Sequence, residues 1–306
     1  MMFSMRKTAI IAVLCFIAFI PLAHSQGKLV TVKDFKTEYG EKHNVEIWLP
    51  DEYYNGAEQN FPVLYMHDGQ NLFDDNTAMG GISWQAGRTA YNLIKEDVVK
   101  PFIIVSIWST PKRYFEFFPE KAAEYLSPAD LEQIEKISKQ AGLKSAEFLG
   151  DEYLKFITQD LKPYIDSEYR TKPEPENTSI CGSSMGALIS LYAICEYPEV
   201  FGNAACMSTH WPVVFDDNSP EAADAIKKYL EQYLPDPNTH TFYFDLGTQG
   251  LDQYYDDHQK TVDSMMKQKG YTKDGNWVTK VFPDAEHNEK AWGDRFNEVL
   301  LFLYKK

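Results

Sequence analysis

The sequence predicts an α/β protein in which a mostly parallel sheet is covered by helices on both faces. Short apolar runs typical of strands alternate with helical stretches along most of the chain. One strand–turn–helix unit is especially clear, because the glycine-flanked pentapeptide 182–186 stands between a short strand at 179–181 and a helix at 187–197. We find no internal repeat and no low-complexity linker in the sequence. A single domain over residues 26–306 is therefore the simplest organisation.

Strands are predicted from two kinds of apolar pattern. Segments 30–35 and 44–49 alternate apolar and polar residues on either side of a turn at 39–41, which indicates an antiparallel N-terminal hairpin. Continuous apolar runs, typical of strands buried on both faces, occur at 61–66 and 102–107. Three further strands are predicted at 203–208, 241–246 and 277–282.

Helices are predicted between these strands, at 84–94, 151–165, 187–197, 221–233, 253–268 and 289–304. Residues 111–150 fit the alternation least well, since they combine an aromatic cluster at 113–119 with a charged helix at 128–140. We interpret this region as an insertion. A surface insertion with its own small apolar cluster is slightly favoured over a lid that grips substrate.

The first 25 residues have the pattern of a secretory signal peptide. Arg6 and Lys7 precede an apolar run at 9–22, and the small residues Ala23 and Ser25 predict cleavage before Gln26. The apolar run has about fourteen residues, fewer than the ~20 that span a membrane. We expect an exported protein, periplasmic or secreted, with no membrane anchor after cleavage.

Charge and cysteine content exclude some classes of partner and scaffold. The formal net charge is −15, and such a surface repels nucleic acid and anionic membranes, whose phosphates require clustered Lys and Arg. Of the four cysteines, Cys15 lies in the predicted leader. The odd number that remains, in segments predicted to be buried, argues against a disulfide scaffold.

The pentapeptide Gly182-Ser183-Ser184-Met185-Gly186 matches G-x-S-x-G. Between a strand and a helix this pattern is typical of a nucleophile elbow, in which flanking glycines give the room for a strained central residue. Ser184 is then exposed at the turn. An ordinary glycine–serine turn is the alternative, and the rest of the chain argues against it.

A serine nucleophile needs a general base, and the base needs an acidic partner. His67, His210 and His287 all follow predicted strands, where an α/β sheet gathers its functional groups. Because proteins with this elbow run in the order serine, acid, histidine, we predict His287 as the base.

The acid is expected between Ser184 and His287, just past a strand end. Asp252 lies in the loop that follows the strand at 241–246 and is the favoured candidate. Asp245, predicted to be within the strand, and Asp256, predicted to be on the next helix, remain alternatives.

Other site residues are predicted from their positions at strand ends. Backbone N–H groups of Met185 and Gln70 are expected to form an oxyanion hole. Trp211, His210 and Asp68 are candidate substrate-binding residues, with Trp211 part of an aromatic wall. We find no metal-binding motif in the sequence and predict no metal.

Several segments resemble, in the right order, the putative-esterase branch of the α/β-hydrolase fold, which includes feruloyl, acetyl-xylan and siderophore esterases, S-formylglutathione hydrolases and mycolyltransferases. The resemblance lies in segments 67–70, 156–165, 169–171, 181–187, 197–202 and 287–292. It implies a serine esterase that forms an acyl-enzyme and needs no cofactor. Members often carry an acidic residue one or two positions after the Gly-Thr of the acid loop, where this chain has Gln249 and Gly250.

The sequence as a whole predicts an exported serine esterase that acts on a small-molecule or oligosaccharide ester, with an acetyl or feruloyl ester of a carbohydrate as the favoured substrate. Two alternatives are a siderophore-ester hydrolase and a non-catalytic binding protein with the hydrolase fold. The sequence leaves open the acyl group, the leaving alcohol, acyl transfer in place of hydrolysis, and the oligomeric state.

Overall fold

The computed structural model describes residues 26–56, 58–140, 142, 145–214 and 220–306, so the predicted signal peptide lies outside the described residues. Eight strands of the described chain form one sheet. The strands are β1 Lys28–Val32, β2 Val45–Leu49, β3 Val63–Met66, β4 Ile103–Ile107, β5 Thr178–Ser183, β6 Asn203–Met207, β7 Thr241–Leu246 and β8 Trp277–Val281.

Helices connect most of the strands. They are α1 Ala86–Lys95, α2 Arg113–Glu116, α3 Pro128–Gln140, α4 Gly150–Lys155, α5 Lys162–Glu168, α6 Met185–Glu196, α7 Pro220–Tyr233, α8 Asp256–Lys269 and α9 Glu289–Tyr304. A π-helical segment, Phe156–Leu161, joins α4 to α5, so the helix predicted at 151–165 is present but irregular. No helix among the described residues is long and apolar enough to cross a membrane.

The sheet has the strand order β1-β2-β4-β3-β5-β6-β7-β8. The first two strands pair antiparallel with each other, and β2 pairs antiparallel with β4. All pairings from β4 through β8 are parallel. The predicted α/β class, with a mostly parallel sheet and an antiparallel N-terminal pair, is confirmed.

Helices cover both faces of the sheet because its central strands are apolar on both sides. On one face, Leu64 and Ile104 pack in a cluster with residues of α1 and α9. On the other face, Tyr65 and Val105 belong to a larger cluster that includes α6 and α7. Helix α6 is buried from Met185 to Cys195, since α7 and the 111–150 region pack around it.

The aromatic residues of the 111–150 region do not form a separate cluster. Phe115, Phe117 and Phe118 are fully buried and belong to the larger core cluster, together with Ile134 of α3. The expectation of a self-contained apolar cluster on the surface was therefore wrong. The sequence suggested a separate cluster because its apolar pattern shows only local structure. It does not show which distant residues the aromatic side chains pack against.

Candidate active site

Ser184 forms the turn between β5 and α6 and has φ 57° and ψ −121°, a conformation that non-glycine residues rarely adopt. The two flanking glycines contribute unequally. A Cβ on Gly182 would lie 2.6 Å from the backbone carbonyl of Gly186, whereas a Cβ on Gly186 would lie 3.4 Å from its nearest neighbour, His67 Cβ. The tight approach is therefore at Gly182, and Gly186 has room for a methyl group.

The structure brings Ser184, His287 and Asp252 into one hydrogen-bonded chain. The Ser184 hydroxyl lies 2.9 Å from His287 Nε2, and His287 Nδ1 lies 2.5 Å from Asp252 Oδ1. An ionised carboxylate only accepts hydrogen bonds, so Nδ1 carries the proton and Nε2 is free to accept from serine. The serine and histidine are nearly buried and Asp252 is fully buried.

The two alternative acids have other partners. Asp245 lies near the end of β7, in the core, and forms an ion pair with Arg295 at 3.0 Å. Asp256 begins α8, where its exposed carboxylate binds Lys260 at 2.5 Å. The contact with His287 is made by Asp252.

A turn brings Asp252 back to His287, although Asp252 lies beyond Gln249 and Gly250 in the loop. Gly250 has φ 62° and begins a 3-10 turn, Gly250–Tyr254, which reverses the chain. The backbone N–H groups of Thr248 and Gln249 both donate to the Ala285 carbonyl at 3.0 Å. These bonds join the loops after β7 and β8, and so the acid and the histidine are held together.

Asp252 is ionised despite its burial. Burial alone would raise its pKa, but hydrogen bonds from His287, from the Ser208 hydroxyl and from the Gly247 backbone N–H outweigh this and hold the pKa below its usual value. Ser208 Oγ donates to Asp252 Oδ2 at 2.6 Å and Gly247 N–H donates to the same oxygen at 2.5 Å. The carboxylate is thus positioned by donors on both of its oxygens.

The predicted oxyanion donors lie on neighbouring elements. Met185 is the first residue of α6, where backbone N–H groups lack partners within the helix. The loop that carries Gln70 packs against the start of this helix, since a Cβ on Gly186 would lie 3.5 Å from Asp68 Oδ2. The Gln70 side chain is engaged by Ser109, through Nε2 to Oγ at 2.7 Å and the Ser109 N–H to Oε1 at 3.0 Å.

The predicted substrate-binding residues are all largely buried. Asp68 holds Arg113 through two hydrogen bonds of 2.5 and 2.7 Å, and His210 Nδ1 lies 2.6 Å from the Tyr255 hydroxyl. The Trp211 ring packs against Phe244 in the core, with ring centroids 6.3 Å apart. Trp211 therefore does not form the expected aromatic wall, because the chain after β6 turns its side chain inward.

The other candidate histidine is also embedded in the protein. His67 Nδ1 lies 2.8 Å from the Tyr153 hydroxyl. Burial lowers the pKa of both His67 and His210 to about 3. Both rings are therefore neutral at neutral pH.

Two important neighbours of Asp252 were not identified from the sequence. Ser208 donates to its carboxylate, and Arg295 of α9 lies 3.7 Å from the same oxygen. A signal was present for Arg295, since it falls within the apolar stripe of α9 that contains Trp292, Phe296 and Val299. A charged residue in such a stripe indicates a buried ion pair. Among the described residues, no group of three or more His, Cys, Asp or Glu could hold a metal ion.

Comparison with known proteins places this chain in a family. Residues 37–303 match the model of the family described as "Putative esterase". The protein belongs to this family. It is 25% identical over 267 residues to the uncharacterized protein YbbA of Bacillus subtilis, a match that covers 85% of this chain and 92% of that protein.

This esterase-family member is also 24% identical over 198 residues to an endo-1,4-beta-xylanase/feruloyl esterase of Xylanibacter ruminicola, covering 63% of this chain but 23% of that larger protein. Among solved structures, a ferulic acid esterase is 17% identical with a TM-score of 0.63, covering 91% of this chain and 98% of the other. The enterobactin esterase FES from Shigella flexneri, in the presence of enterobactin, is 15% identical with a TM-score of 0.64, covering 90% and 58%. The fold is the α/β-hydrolase fold.

The elbow glycines of this family member make a matched pair for testing. We expect Gly182→Ala to lower the free energy of unfolding by about 1–3 kcal/mol, because the new methyl group overlaps backbone atoms that cannot move aside. Gly186→Ala, with ordinary contacts only, should change stability much less. Urea denaturation of both variants measures this, and equal losses would contradict it.

Acid should destabilise the protein partly through its buried histidines. Since the folded-state pKa of His67 is about 3 and the unfolded value about 6.5, only the unfolded chain takes up this proton between those limits, and stability falls as pH drops through that window. We expect His67→Gln to flatten the dependence of unfolding free energy on pH by up to about 1.4 kcal/mol per pH unit.

The quantity to compare is the slope of unfolding free energy against pH in the variant and in the parent, because other ionisable groups also contribute to each slope. Burial raises the pKa of Glu116 to about 7, which acts in the opposite direction over part of this range. Urea titrations at several pH values between 4 and 6.5 supply the slopes. Parallel profiles for His67→Gln and the parent would show that the ring does not stay neutral.

Proposed function

We propose that this protein is an exported serine esterase that hydrolyses carboxylic esters through an acyl-enzyme. The observation that carries the proposal is the continuous hydrogen-bonded chain Asp252–His287–Ser184, built at a strained turn. A purely binding protein with this fold has no need to keep three such groups in register. The geometry therefore favours turnover over the binding alternative. Export is inferred from the signal-like pattern of residues 1–25.

Acylation begins when His287 Nε2 takes the proton of the Ser184 hydroxyl, whose oxygen attacks the ester carbon. The imidazolium that forms is stabilised by the Asp252 carboxylate, which also keeps Nδ1 protonated and the ring oriented. Since Asp252 is fully buried, this charge–charge interaction is weakly screened by solvent. His287 then protonates the departing alkoxide.

The tetrahedral intermediate carries a negative oxygen that the backbone N–H groups of Met185 and Gln70 would bind. Met185 contributes from the positive end of α6, and the Gln70 loop packs against that end of the helix. Deacylation repeats the sequence with water as nucleophile and His287 as base, and it releases the acid. No cofactor enters either step.

For substrate, we propose an acylated carbohydrate of the acetyl or feruloyl type. This is supported by one relative found by sequence, named as an endo-1,4-beta-xylanase/feruloyl esterase, and by one structural neighbour, named as a ferulic acid esterase. The second candidate is a siderophore ester, which the structural similarity to enterobactin esterases favours. Hydrolysis of a tri-serine lactone, but of neither acetylated nor feruloylated sugars, would select the second candidate.

Replacing the nucleophile tests the chemistry directly. We expect Ser184→Ala to lower kcat for short aryl esters by at least about 10³-fold, because no hydroxyl remains to form the acyl-enzyme. Ser183→Ala, one position earlier in the same pentapeptide, is the matched control and should retain most of the activity. A fluorophosphonate should label the parent at Ser184. Full activity in folded Ser184→Ala would overturn the proposal.

The role of the acid is tested by a second matched pair. We expect Asp252→Asn to lower kcat by about 10³- to 10⁴-fold, since an amide cannot stabilise the imidazolium and can hold the wrong tautomer. Asp256→Asn makes the same chemical change at an exposed carboxylate four residues away that binds Lys260, and it should be near the parent value. Steady-state kinetics on one aryl ester gives both numbers. Similar kcat values for the two variants would show that Asp252 is not the acid that acts on His287.

A further inference from the structure

The Ser208 hydroxyl lies at the centre of a buried cluster behind the acid. Its Oγ is 2.6 Å from Asp252 Oδ2, 3.0 Å from Trp292 Nε1 and 2.6 Å from Arg295 Nη2. Ser208 is completely buried, and the other three side chains are nearly or completely so. Ser208 itself directly follows β6, whereas its partners come from the acid loop and from α9.

The direction of each hydrogen bond in this cluster follows from the chemistry of the groups. A hydroxyl has one proton to donate and two lone pairs that accept. The indole N–H of Trp292 and the guanidinium of Arg295 can only donate, so they occupy the two lone pairs of Ser208. The serine proton is then left with one acceptor, Asp252 Oδ2. Ser208 is an obligate donor to the acid.

This donor fixes the orientation of the carboxylate. Oδ2 accepts from Ser208 and from the Gly247 N–H, so Oδ1 is directed at His287 Nδ1. Trp292 contributes at two points, because its ring also packs edge-on against the His287 ring, with centroids 4.9 Å apart and planes at 80°. Rotation of the carboxylate would break hydrogen bonds on both oxygens.

The cluster is itself anchored in the fold. The Ser208 backbone, with φ 44°, donates its N–H to the Asp245 carbonyl at 2.9 Å. The Asp245 carboxylate holds Arg295 at 3.0 Å and accepts from the Tyr243 hydroxyl at 3.0 Å. Asp245, which the sequence left open as the acid, thus neutralises the arginine that holds Ser208.

We propose that Ser208 is a positioning residue for the ester hydrolysis, and that Trp292 and Arg295 act through it by directing its proton at the carboxylate of Asp252. The inference rests on the proposed function. It adds three residues to the proposed site, none of which touches substrate. Ser208 directs the carboxylate that orients His287, and Trp292 and Arg295 determine where the Ser208 proton points.

The test is Ser208→Ala in the full protein. We expect kcat for an aryl ester to fall about tenfold to a hundredfold, from loss of one hydrogen bond to a charged group, while KM stays near the parent value. The acid limb of the kcat/KM profile should move to higher pH, because a carboxylate with one donor fewer favours the protonated imidazole more strongly. A residue that only supports the fold would leave this limb in place.

The pH readout is specific because the other ionisable neighbours are unchanged in the variant. Those that face the cluster and the His287 ring are Asp245, Arg295, His210, Tyr255 and Glu289. Ser190→Ala is the matched control. It removes an equally buried hydroxyl, which donates to the Gly186 carbonyl at 2.8 Å within α6, and it should leave the pH limb unmoved.

A double-mutant cycle tests whether Trp292 acts through Ser208. Trp292→Phe removes the indole N–H but retains an aromatic ring beside His287, and it frees one lone pair so that the serine hydroxyl can rotate. We expect a smaller loss of kcat than in Ser208→Ala, and no further loss when the two changes are combined. Fully additive losses would overturn this part of the inference. If Ser208→Ala does not fold, Trp292→Phe takes its place in the test. A shifted acid limb in its kcat/KM profile supports the inference, and an unshifted limb overturns it.

The outcomes separate this inference from the proposed function. A parent protein that neither cleaves aryl esters nor reacts with a fluorophosphonate at Ser184 would overturn the proposed function and this inference with it. An active parent, with Ser184→Ala inactive and Ser208→Ala equal to the parent in kcat and pH limb, would overturn this inference alone. A lower kcat with a shifted limb in Ser208→Ala, and neither in Ser190→Ala, is the supporting result.

Discussion

The site depends on the close approach of two backbone segments where β5 turns into α6. Within one residue the chain passes from the centre of the sheet into a helix, and it does so because Gly182 lies against the Gly186 carbonyl with no side chain between them. This contact holds Ser184 in its strained conformation. It also sets the position of α6, whose first turn lies beside Ser184 and the loop after β3.

Helix α6 has no charged residue before Glu196, and a helix that is apolar on all sides must be covered on all sides. Helix α6 is buried along nearly its whole length, and α7 and the 111–150 region supply the covering surface. This accounts for the aromatic content of that region, whose phenylalanines pack into the main core. Arg113 of the same region forms the ion pair with Asp68, at the start of the loop that carries Gln70. The region therefore holds Asp68 in place as well as filling the core.

Two carboxylates, those of Asp252 and Asp245, are buried at the carboxyl edge of the sheet, and each needs partners that stabilise its charge. Asp252 is stabilised as an anion by His287, Ser208 and the Gly247 N–H, and Asp245 is neutralised by Arg295. Burial raises the pKa of Asp245, whereas hydrogen bonds lower that of Asp252. The two carboxylates are linked through Ser208 and Arg295, yet only one of them reaches a histidine. Similarity to a ferulic acid esterase and to an enterobactin esterase shows the fold alone, and one fold can act on different substrates.

The sequence by itself determined the fold class and the order of the strands and helices, because hydrophobic periodicity and turn residues are local properties. It also predicted Ser184, which directly follows a strand, and His287, which lies in the loop after the last strand and fits the order serine, acid, histidine. It favoured Asp252 as the acid over Asp245 and Asp256, and it found neither Ser208 nor Arg295. Only the tertiary structure showed that Asp252 is the carboxylate in contact with His287, that Ser208 and Arg295 lie beside it, and that Trp211 is buried. Their partners are many residues away in the chain, and spacing carries no information about which buried donors and acceptors must meet.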